Sequence, residues 1–311
     1  MCPADLPLHP VLQPSAARIA IGIATVGRAR ILRETLVEAR GQTRPADRII
    51  ICATKQSDVE GIELAGTHES ILLTEAGLPR QRNRILDAAG DCDFVLFIDD
   101  DFLLDPGYVA ETLAAFAADP SIVVTTGTVL ADGITGTGLS AEEGRRIISD
   151  ALRADPAPGR SPAPSFAGYG CNMAVRMAVA RRHEIRVDER LPLYAWQEDV
   201  DFTRRLAAHG TVRLLPAARG VHLGTKAGRG SGRRLGYSQV ANPIYLMRKA
   251  GRVAYPGAYA ARRVLGNIAA NLLRAVLPEA HVDRRGRLVG NVVALGDLLR
   301  GRLKPERALE L

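Results

Sequence analysis

The segment FVLFIDDDF, residues 94–102, decides how the chain reads. Its first five residues, Phe94 to Ile98, have the length and the aromatic and β-branched content of a buried strand. They run directly into Asp99, Asp100 and Asp101. Three adjacent carboxylates repel one another. At the carboxyl end of a strand, where open α/β sheets gather their ligands, a divalent cation or ribose hydroxyls would take up that charge. Magnesium or manganese suits such oxygen ligands and can bridge them to a diphosphate. The plainer reading is an acidic turn, with Asp105-Pro106 opening the next helix.

Around this strand, short apolar runs alternate with helix-like stretches. Ile19 to Ala24, Arg48 to Ala53, Ser70 to Leu73 and Ile122 to Leu130 read as further strands. Ala29 to Arg40, before Gly41, and Pro79 to Ala89, before Gly90, read as helices with a glycine just past their ends. The alternation predicts an α/β fold, a parallel sheet covered by helices. The proline-rich DPAPGRSPAPS, residues 155–165, reads as an ordered loop or lid. After Tyr237 the pattern is helical, with no repeat.

The 311 residues, 47% hydrophobic, fit one catalytic domain with an appendage. Cys2, Cys52, Cys92 and Cys171 are far apart and form no CxxC pair, so neither a zinc site nor a disulfide framework is expected, and a reducing cytoplasm is the default. No apolar run reaches the roughly 18 residues needed to span a bilayer, and the opening residues lack the order of a signal peptide. The net charge of +7 is unevenly distributed: 24 basic and 29 acidic residues lie through Thr225, against 17 basic and 5 acidic from Lys226 onward. Such a basic tail seeks phosphate in a nucleotide, a nucleic acid or a lipid headgroup, or is a solvated helical surface. Between Arg284 and Lys304, Leu288, Val292, Leu295 and Leu299 recur at helical spacing with arginines clustered at both ends. That stripe suits either an anionic membrane surface or packing on the catalytic domain.

Further motifs carry chemistry. WQEDVDF, from Trp196, opens a helix that continues to a cap at Gly210, with Glu198, Asp199 and Asp201 crowded near its start. Capping explains one acid there better than three, whereas a carboxylate beside Trp196 at a pocket rim suits a general base toward an incoming hydroxyl. Phe202 and Leu206 mark the buried stripe and place Asp199 at its pocket-side edge, while Asp201 sits beside Arg204 and Arg205. GVHLGTKAGRGSG, residues 220–232, puts His222 at the end of a β-like run, as a structural residue or a metal ligand, before a basic glycine-rich loop suited to phosphate. ATVGR, with Thr25, Gly27 and Arg28, and GLPRQRN, with Arg82 and Asn83, lie where backbone N–H groups and arginines hold a nucleotide. AGYGCNM mixes small residues such as Gly170 with Tyr169 and Asn172, which suits close approach to a ligand and equally an ordinary tight turn.

In order along the chain, ATVGR, RQRN, FIDDDF, GYGCNM, WQEDVDF and VHLGTK resemble the family 2 glycosyltransferases over roughly residues 17 to 250. The resemblance implies a GT-A, Rossmann-like fold: a mixed, mostly parallel sheet flanked by helices, with a catalytic domain over 17–235 and a basic helical extension over 236–311. It also implies a nucleotide-diphospho-sugar donor, a glycan or lipid-linked acceptor, Mn2+ or Mg2+, and inversion in a single displacement, with no role for nucleic acid. By position, Asp99 would hold the ribose, with Asp100 beside it, and Asp101 and His222 would bind the metal. Asp199 would be the base with Glu198 beside it. Arg82 and Asn83 would lie along the nucleotide, and Gly170, Asn172 and Trp196 near the donor sugar or acceptor. Such an enzyme would be cytoplasmic, or peripheral on the inner face of the plasma membrane. One departure stands out: the second strand usually ends in an aspartate that contacts the base, but Ala53 stands there, with Asp58 as a partial substitute. The competing readings are a nucleotidyltransferase and a non-catalytic nucleotide-sugar-binding module.

Overall fold

The computed structural model describes residues 16–134, 136–156, 161–225, 231–276, 279 and 282–311, without the side chains of 250–253. Cys2, part of the proline-rich segment (157–160) and the basic loop over 226–230 lie outside the described residues.

Three strands, β1 (Ile19–Ala24), β2 (Arg48–Ala53) and β3 (Glu69–Leu73), alternate with α1 (Ala29–Arg40) and α2 (Leu78–Ala88) and lead to β4 (Phe94–Asp99). β5 (Phe102–Leu104), α3 (Tyr108–Ala118), β6 (Ile122–Asp132), α4 (Ala141–Ala154) and β7 (Ala163–Pro164) follow. Next come β8 (Asn172–Arg176), α5 (Met177–Arg182), α6 (Glu198–Leu206) and β9 (Thr211–His222). The chain closes with α7 (Gly232–Ala254), α8 (Gly257–Arg274) and α9 (Arg284–Leu299). One mixed sheet runs in the order β3-β2-β1-β4-β8-β6-β9-β5, with β7 beside β9. Its first four strands are parallel, β8 is antiparallel to both β4 and β6, β6 and β9 are parallel, and β5 runs antiparallel to β9. This is the expected α/β architecture.

The central strands read as continuous apolar runs because both of their faces are covered. On one side Ile19, Ile21, Ile23, Phe94 and Leu96 pack with Leu32 and Leu36 of α1. On the other, Ala20, Val95 and Phe97 pack with Ile85 and Leu86 of α2. Phe94 through Ile98 are each no more than 2% exposed, and each such large side chain contributes about 1.5–3 kcal/mol by leaving water. The sheet thus fixes where its strand ends emerge.

Several boundaries depart from the sequence reading: β3, β4 and α2 shift by one residue, α7 begins already at Gly232, and three further differences bear on the site. β6 continues two residues past Leu130, to Asp132, because its hydrogen-bonded register with β9 outlasts its apolar pattern. The helix from Glu198 ends at Leu206, and a 3-10 turn, Ala207–His209, covers the rest of the distance to Gly210. Within AGYGCNM, Asn172 opens a buried strand.

The last three helices pack on one another and on α6. Gly236 and Gly290 let α7 and α9 approach closely: a Cβ on either would lie about 2 Å from a carbonyl of the other helix (2.0 Å at Gly236, 2.1 Å at Gly290). Leu246, Tyr255 and Ala260 share a core cluster with Leu191, Ala195 and Val200.

Candidate active site

β4 delivers Asp99 and the following turn delivers Asp101, while β9 brings His222 alongside. His222 is in register with Phe102 of β5 on one side and with Asp132 of β6 on the other. Its Nε2 lies 3.3 Å from Asp101 Oδ1 and 3.7 Å from Asp99 Oδ2. Ligand atoms of Asp99, Asp101 and His222 all fall within 4.8 Å of one another. Asp101 is buried, and its Oδ1 makes no hydrogen bond; its Oδ2 accepts one from the Thr225 N–H at 2.7 Å. A buried carboxylate oxygen with only an imidazole facing it is a fitting ligand for a divalent cation.

Electrostatics agree. Burial opposes the charged imidazole, yet the carboxylates of Asp101, Asp132 and Asp99 around it raise His222 to about 10. Burial likewise opposes ionisation of Asp101, but His222 and Arg28 hold it at about 2. The imidazolium thus stands among the acids where a cation would, and a metal held through Nε2 would take the place of its proton. Asp132 Oδ1 sits 3.0 Å from His222 Nδ1 and itself belongs to a chain, because the Tyr169 hydroxyl donates to Asp132 Oδ2 at 2.9 Å. A carboxylate on Nδ1 fixes the ring and leaves Nε2 facing the acids. Sequence reading missed Asp132, whose one local signal is the Asp132-Gly133 step at the end of β6, and it brought Tyr169 near a ligand without this link to Asp132.

The middle aspartate turns away from this centre. Asp100 is buried and accepts from the Thr25 hydroxyl at 2.7 Å and from Arg28 Nη1 at 2.9 Å. Burial pushes its carboxyl up to about 7 against the pull of Arg28. Arg28 also lies 3.7 Å from Asp101, so it links the first strand's end to the acidic turn. Asp58 is fully buried and accepts from the N–H groups of Gly27, Thr54 and Lys55 and from the Thr54 hydroxyl. Its role in the structure is to hold the turn after β1 against the end of β2, where Ala53 is also fully buried.

Arg82, on α2 and 2% exposed, connects the acidic turn to α6. One nitrogen pairs with Glu198, while the other donates to Gly170 O at 2.7 Å and lies 3.5 Å from Asp99. Burial pushes Glu198 up to about 8, with Arg82 opposing, and its second carboxylate oxygen makes no hydrogen bond. Asp199 is partly exposed and accepts from the Gly170 N–H at 2.9 Å. A Cβ at Gly170 would lie 3.2 Å from both Arg82 and Asp199, so a side chain there would press on both. Asp201 is buried on the other side of α6, bound by Arg205 and by Lys249 of α7; Arg204 instead donates to the carbonyls of Ala254 and Phe166. Trp196 is half-buried, with the Arg263 guanidinium 5.4 Å from its ring.

Two residues expected along the ligand have their amides engaged by the protein itself. The Asn83 amide is occupied by Val187 and Glu189, and Asn172 is fully buried between Thr126 and Gly127.

Residues 20–174 match the family model described as glycosyl transferase family 2. No curated protein sequence matches the chain. Among solved structures, residues 1–349 of S. aureus TarS align with a TM-score of 0.58 at 14% identity, over 94% of this chain and 82% of that one. The same protein in complex with UDP gives 0.53 at 12% identity, over 91% and 92%. A mannosyltransferase from Pyrobaculum calidifontis, in complex with GDP-Man and Mn2+, gives 0.51 at 16% identity, over 96% and 86%. The structural likeness carries the fold, and the family match carries the chemistry: the chain belongs to glycosyl transferase family 2 and is a glycosyltransferase with the GT-A fold.

Proposed function

We propose that this enzyme transfers a sugar from a nucleotide-diphospho-sugar to a hydroxyl of a glycan or lipid-linked acceptor, with inversion at the anomeric carbon. The observation that carries this reading is the convergence of Asp99, Asp101 and His222, linked through Arg82 and the Gly170 backbone to Asp199 on a separate helix. Asp101 and His222 would hold Mn2+ or Mg2+, and Asp99, the most accessible of the three acids, is placed to reach either the cation or the ribose. When bound, the cation offsets the charge of the diphosphate. Asp199 accepts the proton of the acceptor hydroxyl as that oxygen forms its bond to the anomeric carbon and the bond to the diphosphate breaks. Gly170 keeps the approach open, and Arg82 holds Glu198 and the Gly170 carbonyl in place beneath it. With Asp58 tied to backbone amides, the reading leaves the base of the donor open; the solved relatives were captured with UDP in one case and GDP-Man in the other.

Incubation with manganese and a panel of nucleotide-diphospho-sugars tests the reading. Release of nucleoside diphosphate supports it. Release of pyrophosphate would favour nucleotidyl transfer, and tight binding without any release would favour a binding module.

We also propose that residues 17–235 are the catalytic unit and that the extension over 236–311 rests on an anionic membrane surface, as the inner face of a plasma membrane presents. No helix among the described residues is long and apolar enough to cross a membrane. α9 buries Gly290, Asn291, Ala294 and Asp297 and leaves Val292 61% and Leu299 89% exposed. With Arg285, Arg300 and Arg302 exposed nearby in sequence, that face suits an interfacial helix. Co-sedimentation with anionic but not neutral vesicles is the expected result; equal binding to both, or none, would sink it.

A further inference from the structure

The turn that leads into α6 is strained, and side chains of the C-terminal helices grip it. Of the four non-glycine residues with positive φ among the described residues, three lie within five positions: Leu193 at 58°, Ala195 at 51° and Gln197 at 76°. None is a residue type that favours this region, and such a run persists only where its surroundings over-determine it. Asp199 follows two residues later.

The surroundings are visible. Asn242, fully buried on α7, donates from Nδ2 to the Trp196 carbonyl at 3.0 Å. The Tyr255 hydroxyl, fully buried in the link between α7 and α8, donates to Gln197 Oε1 at 2.9 Å. Lys249 of α7 bridges Asp201 at 3.1 Å and Asp188 at 2.5 Å. On the opposite side the Leu78 N–H, at the start of α2, donates to the Leu193 carbonyl at 3.1 Å. The turn is therefore held between the helix that carries Arg82 and a helix from the extension. Among the described residues, neither Asn242 nor Tyr255 hydrogen-bonds to Asp99, Asp101, Asp199 or His222; their bonds are to the backbone and side chain of the turn.

We propose that α7 and the link after it form a clamp that holds turn 193–197 in its strained conformation, making Asn242 and Tyr255 positioning residues for turnover. The proposal rests on the reading of Asp199 as the base. It assigns the extension a role in catalysis in addition to any surface it binds.

Hydrogen–deuterium exchange on the full chain tests the clamp. Tyr255→Phe removes one hydroxyl and Asn242→Ala one amide. Each should speed exchange at the amides of Ala195, Glu198 and Asp201, which close the turn, by about tenfold, while amides of β4 stay unchanged. In the same variants, GDP release from GDP-mannose with manganese, or UDP release from UDP-glucose, should slow by about tenfold, while calorimetric affinity for the corresponding nucleoside diphosphate stays within about twofold. A general loosening of the fold would instead speed exchange everywhere and weaken nucleotide binding, and that result overturns the proposal. So does unchanged exchange at the three amides, or faster exchange there with wild-type turnover. If Asn242→Ala does not fold, Tyr255→Phe decides. Asp199→Asn measured alongside separates the two readings: wild-type turnover in that variant removes the base assignment, while the exchange data still judge whether the clamp holds the turn.

Discussion

The two halves of the site are built by different means. Asp99, Asp101, Asp132 and His222 come from strand ends and the turn between them, and hydrogen-bonded register fixes their spacing: Asp132 and His222 are paired residues of neighbouring strands. Asp199 sits on a short helix entered through a turn with three positive φ values and held by side chains from the last third of the chain. A sheet can present ligands to a cation with little room for error, since moving one strand would break a whole ladder. A helix behind a strained turn is easier to displace. The difference teaches that cation binding and proton removal here should fail independently.

The largest expected effect lies on the helix side. Asp199→Asn keeps the shape and the hydrogen bond from Gly170 but cannot take a proton, so turnover should fall by about 10²–10⁴-fold with nucleotide affinity retained. Full activity in that variant would rule Asp199 out. Asp201→Asn, on the buried side of α6 with Arg205 and Lys249, should change turnover far less and show its loss in thermal stability instead. Kinetics and melting curves on the pair distinguish a chemical acid from a structural one.

On the strand side, Asp132→Asn removes the carboxylate behind His222. Manganese affinity, read by calorimetry, should weaken by about 10–100-fold. An unchanged affinity would mean that His222 is not oriented by Asp132. The smallest effect is that of Tyr169→Phe, which takes one hydrogen bond from Asp132. It should cost about 1 kcal/mol, roughly fivefold in manganese affinity, and an effect as large as that of Asp132→Asn would show that Tyr169 contacts the ligand itself.

The same division governs how much the sequence reveals. Strand Phe94 to Ile98 and the acids after it are legible because burial on both faces leaves an unbroken apolar run and abrupt polarity marks its end. The bounds of β1, β2 and α1 follow from the same contrast. What the sequence presents as three equivalent aspartates, the turn divides: Asp99 toward the cleft, Asp100 back onto Thr25 and Arg28, Asp101 toward His222. That division depends on contacts 70 or more residues away, which no local pattern encodes. Asp132 stayed hidden because cross-strand pairing, rather than hydrophobicity, carries β6 to its end. The turn at 193–197 is illegible for a stronger reason: leucine, alanine and glutamine do not advertise positive φ, and the groups that contact the turn, Leu78, Asn242 and Tyr255, are distant in sequence.

The central claim is that Asp101 and His222 form a cation centre for a nucleoside diphosphate. Calorimetric titration of UDP and of GDP into the enzyme, with and without manganese, tests it most directly when repeated on Asp101→Ala and His222→Ala. The account predicts that manganese tightens nucleotide binding to the wild type and that each substitution removes most of that gain. Wild-type affinity with wild-type manganese dependence in both variants would contradict it.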